Sequence, residues 1–308
     1  MRYLTRDTGN RTEPGLGEIK GLTWLINIEN RESSKTMSLY NRIQETAAYI
    51  KERTNANPTV GIILGSGLGG LVELVDVEME IRYEEIINFP VSTVKGHAGK
   101  LIFGKMGGKN VMILSGRFHY YEGYNMEQVT FPVRVMKALG VHTLMVSNAA
   151  GCMNVHWKVG DIMIITDHIN QFPEHPLRGP NDERLGPRFP DMTEVYDKQM
   201  IQSAKKIAAE QNLDIKEGIY VGLQGPTFET KAEYYWLDAI GADVVGMSTV
   251  PEAIVARHGD MRIFAASIIT DMGIREADNI ITHEEVLAAA NEAAPRLAKL
   301  MAGLVEIC

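Results

Sequence analysis

From Thr59 onward the chain alternates short apolar runs with longer stretches of helical period, and no other feature restricts the fold as much. Runs of strand length sit at 60–64, 101–105, 111–114, 143–146, 162–165, 219–223, 243–245 and 263–269. Helical stretches sit at 39–53, 126–139, 200–211, 232–240 and 283–305. Strands alternating with helices argue an α/β chain with a largely parallel sheet. Ser38 is placed to cap the first helix. Thr282 and Glu285 have capping-box spacing for the last, which Pro295 should kink. Residues 171–191 are rich in proline and charge and lack any period, and irregular stretches of that length in compact domains are usually functional or mobile.

The residues that follow the apolar runs are repeatedly glycine or polar. Gly65-Ser66-Gly67 follows the first, Arg117 the third and Asn148-Ala149-Ala150-Gly151 the fourth; later come Gln224-Gly225-Pro226, Met247-Ser248-Thr249 and Thr270-Asp271. In open α/β sheets ligands bind beyond the carboxyl ends of strands, so these loops should converge on one crevice. The densest of them is Gly116-Arg117-Phe118-His119-Tyr120-Tyr121-Glu122-Gly123-Tyr124. Unpaired buried charges cost several kcal/mol, so this set suits a ligand-facing loop better than a core. Arginine suits an anionic oxyacid, histidine a hydroxyl or second phosphate oxygen, and tyrosine a sugar edge. A strand-to-helix loop with a surface ion pair is the plainer alternative.

Gly65-Ser66-Gly67-Leu68-Gly69-Gly70 satisfies the G-x-G-x-x-G pattern, and Glu84 and Glu85 lie near the spacing of a dinucleotide's acidic partner. The run that follows is a poor crossover helix, and a dinucleotide leaves Arg117 and His119 unexplained. A glycine turn whose N–H groups and Ser66 hydroxyl hold one phosphate fits better. The loop 92–99 carries His97, which by itself reads as a surface histidine. Gly225-Pro226-Thr227-Phe228-Glu229-Thr230 pairs an aromatic with a carboxylate, suiting either a planar heterocycle with a ring N–H or a helix N-cap. Cys152 has no partner base at recognisable spacing and reads as a buried structural thiol.

Composition removes other classes. A net charge of -8 without a basic run disfavours nucleic acid, and two cysteines exclude a disulfide framework and fit a reducing cytoplasm. No apolar run reaches membrane-spanning length. The eight histidines form no metal-ligand pattern, so no metal is implied. Residues 1–36 are rich in charge, Gly, Asn and Thr and are expected to be a poorly structured, dispensable extension before a single domain at 37–308.

Taken in order, the segments at 65–70, 96–99 (Gly-His-Ala-Gly), 116–124, 148–151, 176–184 (Pro-Leu-Arg-Gly-Pro-Asn-Asp-Glu-Arg), 225–230 and 246–252 (Gly-Met-Ser-Thr-Val-Pro-Glu) form a set. The chain resembles the trimeric class of purine nucleoside phosphorylases from about Leu39 onward. That resemblance implies a three-layer phosphorylase/hydrolase-like α/β fold, with a central mixed sheet flanked by helices, and a homotrimer. It implies that a purine nucleoside and phosphate give the base and (2-deoxy)ribose 1-phosphate, inosine and guanosine preferred, with phosphate a co-substrate and no cofactor. By the same carry-over Ser66, His97, Arg117, His119, Ala149 through its backbone, and Ser248 should bind phosphate. Tyr121 and Met247 should border the ribose, and His283 should meet the 5′-hydroxyl. Phe228 and Val245 should line the base, Glu229 should take its N1–H, and Thr270 and Asp271 should complete its edge. Phe189 should serve a neighbouring subunit's site.

Asp271 departs from the family pattern, where 6-oxopurine-specific members usually carry asparagine. Ionised aspartate only accepts hydrogen bonds and favours a 6-amino group, whereas Glu229 favours the N1–H of a 6-oxopurine. Three readings follow: Asp271 is protonated and donates, specificity is broadened to adenosine, or the chain is a methylthioadenosine phosphorylase. The last family lacks the counterparts of Glu229 and His283. A nucleoside- or NAD-binding protein without phosphorolysis and a nucleoside hydrolase are the remaining alternatives. Many such hydrolases need an aspartate-built calcium site, and no such cluster is visible in the sequence.

Overall fold

A computed structural model of the chain describes residues 37–93, 98–274 and 281–308. The expected extension at 1–36 lies outside the described residues. Ile43–Cys308 forms one compact unit. Helices α1 (Leu39–Lys51), α2 (Met126–Ala138), α3 (Lys198–Glu210), α4 (Lys231–Ala239), α5 (Val250–His258) and α6 (His283–Glu306) flank a nine-stranded sheet. Its strands are β1 (Val60–Leu64), β2 (Asp76–Arg82), β3 (Lys100–Met106), β4 (Lys109–Ser115), β5 (Thr143–Cys152), β6 (Ile162–Asn170), β7 (Ile215–Gly222), β8 (Val244–Gly246) and β9 (Arg262–Met272).

The sheet is mixed rather than largely parallel. Parallel pairing joins β4, β1, β5 and β9, and separately β6, β7 and β8. Antiparallel pairing adds β2 and β3 at one side and links β5 to β8 and β6 to β9. β5, β8, β7, β6 and β9 therefore close on themselves, so the expected open sheet is open only on the β2–β4 side. β1 is buried at all five positions, which explains its continuous apolar run Val-Gly-Ile-Ile-Leu.

Two elements escape the periodicity. β2 has only Ile81 buried, because it is an edge strand whose Val-Glu alternation leaves one face to water. α5 is buried almost all round and so shows no amphipathic stripe, while Pro251 occupies its first turn. The expected caps are present. Ser38 Oγ accepts from the Asn41 N–H at 3.2 Å, and Thr282 and Glu285 bond reciprocally at the start of α6. α6 runs through Pro295 as one 24-residue helix. Residues 171–191 form neither helix nor strand. Among the described residues no helix is long and apolar enough to cross a membrane.

Candidate active site

The carboxyl ends of β1, β4, β5, β7, β8 and β9 meet around a cavity of about 540 Å³. Of the anticipated residues, Ser66, Arg117, His119, Tyr121, Ala149, Phe228, Glu229, Val245, Met247, Ser248, Thr270, Asp271 and His283 all line it. His97 lies outside the described residues. Phe189 is not in this cavity; it stands 88% exposed with the Arg188 guanidinium 5.6 Å from its ring centre.

The glycine turn after β1 shows why its sequence is what it is. A Cβ on Gly65 would lie 2.7 Å from the Ser147 carbonyl oxygen, so β1 can approach the end of β5 only with glycine there. Gly67 has φ +75°, which favours glycine. The chain then forms a 3-10 segment, Gly69–Leu74, and turns back as the antiparallel edge strand β2. No crossover helix follows the motif, so the dinucleotide reading fails on topology.

Arg117 is 1% exposed and fixed from two sides. Its Nε donates to Glu252 Oε1 at 3.1 Å, and its Nη1 donates to Ser248 Oγ at 2.9 Å. Glu252 also accepts from the Thr249 N–H, tying the guanidinium to the first turn of α5. Thr249 has φ 66° and ψ -53°, and the Val250 N–H bonds back to the Ser248 carbonyl at 2.7 Å, closing a γ-turn. Non-glycine residues in that region are strained, and such strain clusters at ligand sites. Asn148 Nδ2 supports the turn by donating to Thr249 Oγ1 at 2.9 Å.

His119 turns Nδ1 toward Glu122 Oε1 at 3.0 Å and stacks on Tyr121, ring centres 4.7 Å apart. Burial lowers its pKa against the raising influence of Glu122. Burial alone would raise Glu122, but hydrogen bonds from His119 and Thr93 outweigh it and hold the carboxyl at about 2. An ionised Glu122 therefore orients a neutral ring whose Nε2 is its second polar atom.

A second group is acidic. Thr230 caps α4 reciprocally with Glu233, so the helix-cap reading of 225–230 holds, while Phe228 and Glu229 just before it face the cavity. On β9 a register shift opposite Ala150 and Gly151 accommodates one extra residue. Regular strands send neighbouring side chains to opposite faces; this bulge lets Thr270 and Asp271 both line the cavity. Gly151 pairs with Val245 on one side and Asp271 on the other, and a Cβ there would lie 2.8 Å from Asp271 Oδ2. Thr270 Oγ1 lies 3.1 Å from Asp271 Oδ1. Burial raises the Glu229 pKa, and the Asp271 charge adds to the effect. His283 is the first residue of α6, exposed and part of the cavity lining.

Sequence reasoning missed Glu122 as the orienter of His119, Glu252 and Thr249 behind Arg117, and Tyr234 beside the two carboxylates. Glu122 was visible within the motif, and Glu252 has capping-box spacing from Thr249. Tyr234 carried no signal, being one aromatic on an amphipathic helix. Cys152 is buried and its thiol is pushed up to about 12, in keeping with a structural role. Among the described residues no group of three or more His, Cys, Asp or Glu side chains is arranged to hold a metal ion.

The sequence profile of the Phosphorylase superfamily matches residues 59–306. Purine nucleoside phosphorylase 1 of Bacillus subtilis is 48% identical over 264 residues, covering 86% of this chain and 97% of that protein. Bos taurus purine nucleoside phosphorylase is 50% identical over 275 residues, covering 86% and 94%. The crystal structure of Schistosoma mansoni purine nucleoside phosphorylase in complex with adenosine superposes with a TM-score of 0.83 at 41% identity, covering 86% of this chain and 96% of that one. The chain belongs to the phosphorylase superfamily and, within it, to the purine nucleoside phosphorylases.

Proposed function

We propose that this phosphorylase cleaves purine ribonucleosides and 2′-deoxyribonucleosides, prefers inosine and guanosine, and admits adenosine through Asp271. The observation that carries this is that Asp271 and Glu229, close enough for one charge to act on the other, both line the cavity that also holds Arg117 and Ser248. Phosphate binds to Arg117, Ser66, Ser248, His119 and the Ala149 N–H, and the sugar lies along Tyr121 and Met247 with its 5′-hydroxyl at His283. The base sits against Phe228 and Val245. Phosphate oxygen attacks the anomeric carbon as the glycosidic bond breaks with oxocarbenium character, and the bond's electron pair leaves on the purine. Residues that bind this developing charge accelerate the step, and holding three groups together supplies proximity. Phosphate is the co-substrate, and the reading needs no cofactor.

A protonated Asp271 offers one donor to O6 and one acceptor to N7–H, the pattern of an asparagine amide, with ionised Glu229 taking N1–H. An ionised Asp271 accepts from a 6-amino group instead. Structures of Schistosoma mansoni purine nucleoside phosphorylase with adenosine and of a schistosoma purine nucleoside phosphorylase with hypoxanthine support a cavity of this family that takes either edge. Asp271→Asn fixes the donor in place. The adenosine-to-inosine ratio of kcat/KM should fall at least about tenfold, the size of one charge-assisted hydrogen bond. An unchanged ratio would remove Asp271 from substrate choice.

A further inference from the structure

Tyr234, on α4, has its ring fixed and its hydroxyl unfulfilled. The side chain is 3% exposed and packs with Met153, Val221, Leu237 and Val245, and a Cβ on Gly273 would lie 2.2 Å from its ring. Among the described residues its hydroxyl makes no well-aligned hydrogen bond, although it lines the cavity, and a Cβ on Gly151 would meet both this hydroxyl, at 3.4 Å, and Asp271 Oδ2, at 2.8 Å. Its polar surroundings are the Glu229 and Asp271 carboxylates, both near enough to raise the phenol's pKa further after burial has done so. The phenol therefore stays protonated and carries one proton to give.

We propose that Tyr234 is the positioning residue for purine choice: Glu229 and Asp271 hold one proton between them, and the Tyr234 hydroxyl donates to whichever carboxylate is ionised. With a 6-oxopurine the shared proton is on Asp271, Glu229 accepts N1–H, and Tyr234 supports Glu229. With a 6-aminopurine the proton is on Glu229, which donates to N1, while Asp271 accepts from the amino group and Tyr234 supports Asp271. Each substrate needs the same protonation count on the pair, so one cavity reads both edges by moving one proton and rotating one O–H. Among the described residues, other ionisable groups around the trio include Glu233 on α4, the Cys152 thiol at the end of β5 and His283 at the start of α6. Glu233 is held by the Thr230 cap, and Cys152, at about 12, stays neutral.

This inference rests on the role of Asp271 proposed above, and two variants separate the two. The test is the pH dependence of kcat/KM for inosine and for adenosine in wild type, Tyr234→Phe and Asp271→Asn, with phosphate saturating at each pH. Removing the phenol takes a donor from the ionised carboxylate, so the pair holds its protons more tightly. In Tyr234→Phe both limbs of the profile should move to higher pH by about one unit, with a roughly tenfold loss at the wild-type acid limb. Phosphate ionisation and His119 are common to both enzymes and cancel in the comparison. A rate loss in Tyr234→Phe with unmoved limbs, alongside a changed purine ratio in Asp271→Asn, would overturn the Tyr234 role alone. An unchanged ratio in Asp271→Asn would overturn both.

Discussion

Arg117 and Glu252 form an ion pair at 3.1 Å in which the two side chains are 1% and 4% exposed. The pair joins the end of β4 to the first turn of α5, 135 residues later in the chain. One carboxylate thus fixes the cation of the cavity and the strained turn that presents Ser248.

Removing one partner of a buried pair leaves the other charge uncompensated. Glu252→Ala should therefore destabilise the protein by about 3–5 kcal/mol in urea unfolding. Arg117→Lys keeps the charge and loses the planar fork, so it should raise KM for phosphate at least about tenfold with a smaller loss of stability.

The glycine turn gives a paired test. Gly65→Ala sets a Cβ against the backbone of Ser147 and Asn148 and should cost about 1–3 kcal/mol along with most of the activity. Gly70→Ala meets nothing within 4 Å and should leave the melting temperature and kcat/KM near wild type.

Those two glycines also show what the sequence could reveal. The motif identified a turn after a buried strand, but which of its glycines are required depends on how closely β5 and α6 approach, a fact of packing. The bounds of β1 were legible because a fully buried strand is one unbroken apolar run. β2 and α5 were not, since an exposed edge strand and a helix buried all round both lack the expected stripe. Most of the cavity's lining residues could be read because they follow apolar runs in the sequence. Of their supports, Glu122 stands three residues from His119 inside the motif, whereas Glu252 and Tyr234 act on Arg117 and Asp271, which lie far away in the chain.

Glu122 and His119 together set an acid limit on stability. The Glu122 carboxyl is lowered in the fold, so its contribution is complete above about pH 4.5 and is lost as pH falls toward about 2. His119 is also lowered, so folding becomes less favourable as pH drops below about 6.5, where the unfolded chain takes up the proton. Denaturation curves should show stability falling from about pH 6.5 downward and more steeply below about 4.5. Glu122→Gln should flatten the lower part of that decline.

Phe189 is 88% exposed, and we propose that in a homotrimer this ring closes a neighbouring subunit's cavity. Sedimentation should give a mass three times the 34.2 kDa chain. Phe189→Ala should raise KM for the nucleoside several-fold and leave the melting temperature within the usual range of surface changes.

The most direct test of the central claim is the initial rate of wild-type cleavage of inosine and of adenosine, each with and without inorganic phosphate. Phosphate-dependent release of hypoxanthine and, more slowly, of adenine is expected, with ribose 1-phosphate formed in equal amount. Base release that proceeds equally fast without phosphate, or none from either nucleoside, would contradict it.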